Sequence, residues 1–313
     1  MADAVSGAFL PFVLSVFPEN CCIVAACVLI YYDNICTFSR ELQYMWGSPT
    51  NIAVALFHVN KWAISIWALV SISSAFMPLA SYSSATCTTL NILWTALIVL
   101  LALLWAAFSG VRMYAISLGH VWLSSMVCAL NLVPVGTNAW GFFSDTWYQM
   151  DGSPFTAALC NYGVSRSNAL NARFNVTTRS CLIASDAIVI IMTWYITFIT
   201  GGHRTRNAQT PITTALFRDG TAYFLALLVL NVLDIIGWCT NAFTDVAGFL
   251  TVPISSILMS HFLLNLHQMA HGQDAYGEHE TSVASQDSGL RFAHIVGPMG
   301  GSLEICSDSS YSG

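Results

Sequence analysis

YYDNICTFSRELQYMWGSPTNIAVALFHVNKW, residues 31–62, decides the fold. It joins two apolar runs through a short polar junction that holds Asp33, Arg40 and Glu41. It ends beside Lys61, the only lysine in the chain. Lys61 lies about ten residues inside the second apolar run, so about 15 Å deep by helical rise. A charge at mid-bilayer costs roughly 2.5–3.5 kcal/mol on insertion scales, so it faces a protein interior or finds a partner. A Lys61–Asp33 pair across the first two helices is one of two expectations. The alternative is a lysine that snorkels, with a structural role alone.

The rest of the chain supports a lipid setting. Of 313 residues, 56% are hydrophobic and only 8% are charged. A soluble domain carries roughly 25% charged residues. The formal net charge is −6, so no basic footprint for nucleic acid exists. Ten cysteines form neither a CxxC pair nor a Cys/His finger. The start, MADAVSGAF, lacks the basic n-region of a cleaved signal peptide, so the first helix is expected to act as an uncleaved anchor.

Apolar runs near 20 residues, the length that crosses a hydrocarbon core, occur seven times. They are Phe9–Phe38, Ile52–Phe76, Leu90–Ser109, Tyr114–Val133, Cys181–Ile199, Thr221–Cys239 and Val246–Leu266. The expected fold is all-α: a seven-helix transmembrane bundle over residues 1–270, then a disordered Ser/acid-rich tail over 271–313. Basic residues follow the odd-numbered helices: Arg40, Arg112, then His203, Arg204, Arg206 and Arg218. The long fourth connection holds Arg166, Arg173 and Arg179, which weakens the bias, but longer loops count for less. The positive-inside rule therefore places these ends and the C-terminus in the cytoplasm and the N-terminus outside. Arg40, Glu41, Arg112, Arg218 and Asp219 form the expected cytoplasmic-face charge. The long polar connection 134–180 falls outside. It holds the sequon Asn175-Val176-Thr177, whose placement permits glycosylation. It also holds Trp140, Trp147 and Tyr148, which suit either a membrane-interface belt or plain loop packing.

Besides Lys61, the intramembrane polar residues are Asp186, Asn231 and Asp234, with Asn91 and Asn131 as further polar points. Asn231 and Asp234 share a helical face. Such groups line a cavity or proton path, or serve as interhelical hydrogen-bond glue. Cys87, at the outer start of the third helix, can pair with Cys160 or with Cys181, or all three can remain thiols. His58, His120 and His261 are not the matched pairs a dihaem protein needs. His267 and His271 lack an acidic ligand beside them, so no metal site is expected. The last helix has no lysine for a retinal Schiff base. No GxSxG, HExxH, Walker A or GxGxxG pattern occurs, and neither an enzyme nor a cofactor is expected.

Five blocks in order then resemble a family. They are Tyr32-Asp33, Arg40-Glu41, Trp46, Leu56-Phe57 and Lys61; Val111 to Ala115; Leu216 to Phe224 with Leu230-Asn231; Ser255 to Leu258; and Phe262 to Leu266. Together they resemble basidiomycete fungal multi-pass membrane proteins that carry domain of unknown function 6533, across most of residues 20–267. The resemblance implies a membrane protein with no established activity. Two departures from its pattern are Lys61-Trp62 in place of Arg-Tyr, and His261 and His267 in place of flanking arginines.

The functional expectation is an integral membrane protein of receptor-like or sensory type. Its partners are the bilayer and a small ligand or cytoplasmic signalling partner, in the plasma membrane or an endomembrane. The alternatives are a transporter or channel, or a structural membrane scaffold. Neither Asp-Arg-Tyr after the third helix nor Asn-Pro-x-x-Tyr in the last is present; Arg112 only partly echoes the first. The halves show no repeat of transporter type.

Overall fold

A hydrocarbon surround leaves backbone groups no water to bond with, so the chain must satisfy them internally, as helices. In the computed structural model the described residues are mostly helical, with one hairpin among them. The helices are α1 (Ala2–Tyr44), α2 (Ile52–Phe76), α3 (Ser84–Ile116), α4 (Val121–Asp145), α5 (Asn168–His203), α6 (Pro211–Thr240) and α7 (Thr244–Gly277). The strands β1 (Thr146–Ser153) and β2 (Thr156–Val164) join α4 to α5. The structure describes residues 2–49, 51–76, 84–117, 119–153, 156–165, 167–203, 211–240 and 244–277, in places for the backbone alone. Residues 278–313, most of the expected tail, lie outside them. Within the expected tail, α7 continues to Gly277.

Among the described residues, six helices are long and apolar enough to cross a membrane by length and composition. In those segments at most 44% of the most apolar 18-residue window is buried, and Ile35, Trp62, Leu69, Ile191 and Leu225 lie exposed. Large apolar residues on the outside and polar ones within is the arrangement lipid selects. The chain is a multi-pass membrane protein.

Each helix packs on the next, and α7 also packs on α1 and α2. The core concentrates there: Ile30, Phe57, Trp67, Leu101, Met113, Phe224 and Leu264 are buried. Asn51 caps α2, its Oδ1 accepting from the Val54 N–H at 2.9 Å. Gly119, at φ +91°, turns the chain between α3 and α4, a backbone state that costs a Cβ-bearing residue strain. At Gly110 a Cβ would stand 3.3 Å from Cys128 Cβ. The small residue lets α3 and α4 approach closely, and Ser124 Oγ donates to Gly110 O across the gap at 2.7 Å.

The long connection departs most from expectation. α4 runs through Pro134 to Asp145, and α5 starts at Asn168, thirteen residues before Cys181. Between them β1 and β2 pair antiparallel, with an irregularity between Asp151 and Ser153. Asn175 therefore sits half-buried on α5 rather than in a loop.

Candidate functional site

Three polar groups sit between the helices. The first joins α1, α2 and α7 beside the α1–α2 turn. Lys61 Nζ pairs with Glu41 Oε2, the side chains being 19% and 2% exposed. Thr37 Oγ1 donates to the other carboxylate oxygen at 2.7 Å. Asp33 instead takes His261, Nε2 to Oδ1 at 2.6 Å. Arg40 donates to Asn265 Oδ1 at 2.7 Å and Gln268 Oε1 at 2.8 Å. Asn60 Nδ2 donates to Ser256 O and Ser260 Oγ, each at 3.0 Å. His267 Nε2 lies 2.8 Å from Ser48 Oγ.

The expected Lys61–Asp33 pair is therefore wrong, and side-chain direction explains it. Cα–Cβ bonds tilt toward a helix's own N-terminus. α1 and α2 are antiparallel neighbours, so Lys61 leans toward the α1–α2 turn and Asp33 leans away from it. The lysine stem reaches Glu41, about two turns nearer the turn than Asp33.

The second group joins α5 and α6. Arg179 pairs with Asp234, 2% exposed in its side chain. Arg179 Nη1 donates to Asn231 Oδ1 at 3.2 Å, and Asn231 Nδ2 donates to Asp186 Oδ2 at 3.1 Å. Asp186, Asn231 and Asp234 are thus one network. Their cation, Arg179, escaped sequence reading because it was assigned to the polar connection; the early start of α5, more than three turns before Cys181, places it in that helix instead. On the neighbouring pair Asn131 donates to Ser185, tying α4 to α5.

Arg112 is the third, and it differs in kind. It is 4% exposed, one turn from the end of α3. Its guanidinium lies over the Phe224 ring of α6 at 4.1 Å and the Phe262 ring of α7 at 4.6 Å. Phe108 of α3 stacks on Phe224 at 6.2 Å and meets Phe262 edge-on at 5.3 Å. Among the described residues no carboxylate pairs with Arg112, and its Nη1 has no hydrogen-bond acceptor. Cation–π contact is worth about 2 kcal/mol or more when desolvated. Burying a charge costs several kcal/mol, so two phenyl rings offset only part of it. The guanidinium also borders a half-open cavity of about 230 Å³ between α2, α3, α4 and α7. Sequence reading placed Arg112 among face charges; nothing local marks Phe224 and Phe262, from two other helices, as its cage.

The side chains of Arg218 and Asp219 lie outside the described residues, as does that of Cys160. Cys87 is in a disulfide, whereas Cys181 is a free thiol, which removes it as the rival partner. Trp140 and Trp147 are 59% and 46% exposed. Among the described residues no cluster of three or more His, Cys, Asp or Glu is arranged to hold a metal.

A family model described as a family of unknown function, DUF6533, matches residues 21–66. That segment covers α1 from Cys21, the turn and the first part of α2, with Asp33, Arg40, Glu41 and Lys61 inside it. No curated protein matches the chain.

Proposed function

We propose that this membrane protein is a seven-helix bundle of receptor-like or sensory type, with its N-terminus outside and its C-terminus in the cytoplasm. The seventh crossing is α6, whose apolar part Thr221–Gly237 meets the lower length limit for a span. Arg40 and Arg112 near the ends of α1 and α3, with Arg218 early in α6, support the orientation through the positive-inside rule. No catalytic step and no cofactor belong to this reading, and glycosylation at Asn175 would be its outer-face mark.

The observation that carries the reading is Arg112, held by rings from α6 and α7 and with no carboxylate partner among the described residues. A scaffold would be served better by leucine at 112, since an uncompensated buried charge costs stability. The charge makes sense where a second arrangement satisfies it. Moving α6 or α7 relative to α3 would open the ring cage and give the guanidinium a new partner, the two-state element that signalling requires.

Spin labels at the lipid-facing positions Ala107 of α3 and Leu225 of α6 test this in nanodiscs. The expected result is two distance populations in the unsubstituted protein, with their ratio changed in Arg112→Leu. One identical narrow distribution in both proteins rejects the receptor-like reading.

A further inference from the structure

The cavity beside Arg112 has the chemistry of a binding site. Its walls are apolar, with Leu56 of α2, Phe108 of α3 and Phe262 of α7 among them, and Ser124 and Tyr114 add hydroxyls. Among the described residues, Arg112 is the sole charged one on its lining. Among the described residues it is a buried cation without a carboxylate partner, and its Nη1 is an unanswered donor. We propose that this cavity binds a single-chain aliphatic carboxylate of the fatty-acid class, with the carboxylate on Arg112 and the chain along the apolar wall.

Four features select that class. Guanidinium and carboxylate match as planar forks that share two hydrogen bonds. One cation balances a monoanion, whereas a phosphate monoester would leave charge uncovered in an apolar pocket. A dry cavity of about 150 Å³ holds benzene, so about 230 Å³ takes part of an alkyl chain, and the opening lets the remainder reach lipid. Arg112 also lies about 6 Å from the end of α3, close to the depth at which an amphiphile's headgroup sits. To bond Nη1, the carboxylate must slide the guanidinium partly off its rings. Ligand binding would therefore drive the cage opening invoked above, and this consequence rests on the receptor-like reading. Binding itself does not, so failure of either experiment leaves the other interpretable.

The test uses the full chain in nanodiscs with a dodecanoate that bears a photoactivatable diazirine on its chain. Labelling is expected on the peptides that contain Leu56 and Phe262. Dodecanoate should compete and dodecanol should not, with dodecyl phosphate close to dodecanol. Arg112→Leu should weaken labelling roughly tenfold or more, the loss of one charge-assisted bond, and Arg112→Lys should retain part of it. Leu56→Trp fills the cavity, leaves the cation in place and should abolish labelling; with Arg112→Lys it carries the test if Arg112→Leu fails to fold. Equal competition by dodecanol, preferential competition by dodecyl phosphate, labelling elsewhere in the chain, or full labelling of Leu56→Trp would each overturn the assignment.

Discussion

Replacing Lys61 by methionine isolates what the buried pair on α1 and α2 contributes. The Glu41 carboxylate is 2% exposed and keeps only the Thr37 hydroxyl once the lysine is gone. Breaking a buried pair by removing one partner costs about 3–5 kcal/mol, and Lys61→Met is expected in that range. Glu41→Leu should cost less, about 1–3 kcal/mol. Lys61 retains 19% exposure, so its flexible stem can carry the ammonium outward. The double replacement Lys61→Met, Glu41→Leu leaves no charge to strand and should return to within about 1 kcal/mol of the parent protein. Unfolding by sodium dodecyl sulfate in mixed micelles, followed by circular dichroism, measures all three. The cycle yields a coupling energy of opposite sign to the single losses. If Lys61→Met changes stability by less than about 0.5 kcal/mol, or if the double variant loses the sum of the singles, Lys61 does not rest on Glu41.

Three further outcomes follow from the other packed polar groups. Arg179→Met strands Asp234 and should cost about 3–5 kcal/mol in the same titration, whereas Asp186→Asn keeps its bond to Asn231 and should stay within about 1 kcal/mol. If the two variants are equal, Arg179 does not anchor the α5–α6 network. Gly110→Val drives a side chain into Cys128 and should cost about 1–3 kcal/mol as overpacking; Gly110→Ala combined with Cys128→Gly should recover most of any loss, and no recovery would place the close approach elsewhere. Non-reducing peptide mapping should find Cys87 joined to Cys160 while Cys181 alkylates freely. Free alkylation of Cys160 would show that Cys87 takes another partner.

The sequence made the membrane setting legible because that property is local and additive. A run of twenty apolar residues reads the same whatever it packs against, and the low charge admits no soluble surface. Six of the seven expected runs overlap helices long and apolar enough to span, although the fourth, from Tyr114, begins in the last turn of α3, and the remaining run overlaps α6. Boundaries were less legible. Hydropathy does not mark where a helix continues past the lipid, so the early start of α5 and the β1–β2 hairpin passed as polar connection. That error concealed Arg179.

Several polar residues of the spans were equally plain from the sequence: Asp33, Lys61, Asp186, Asn231 and Asp234 stand out against an apolar background, with Arg112 at the edge of one. Which of them meet was not. Asp33 and Lys61 are neighbours in depth, yet opposite helix directions aim them apart, Lys61 toward Glu41 and Asp33 toward His261, 228 residues along the chain. Arg112 is the sharpest case. Its charge is written in one letter, but its isolation depends on what α6 and α7 bring to it, two phenyl rings and no carboxylate among the described residues. Composition selects the solvent through each residue's own transfer energy. Pairing is set by helix order, rotation and side-chain direction, which exist only once the chain has packed.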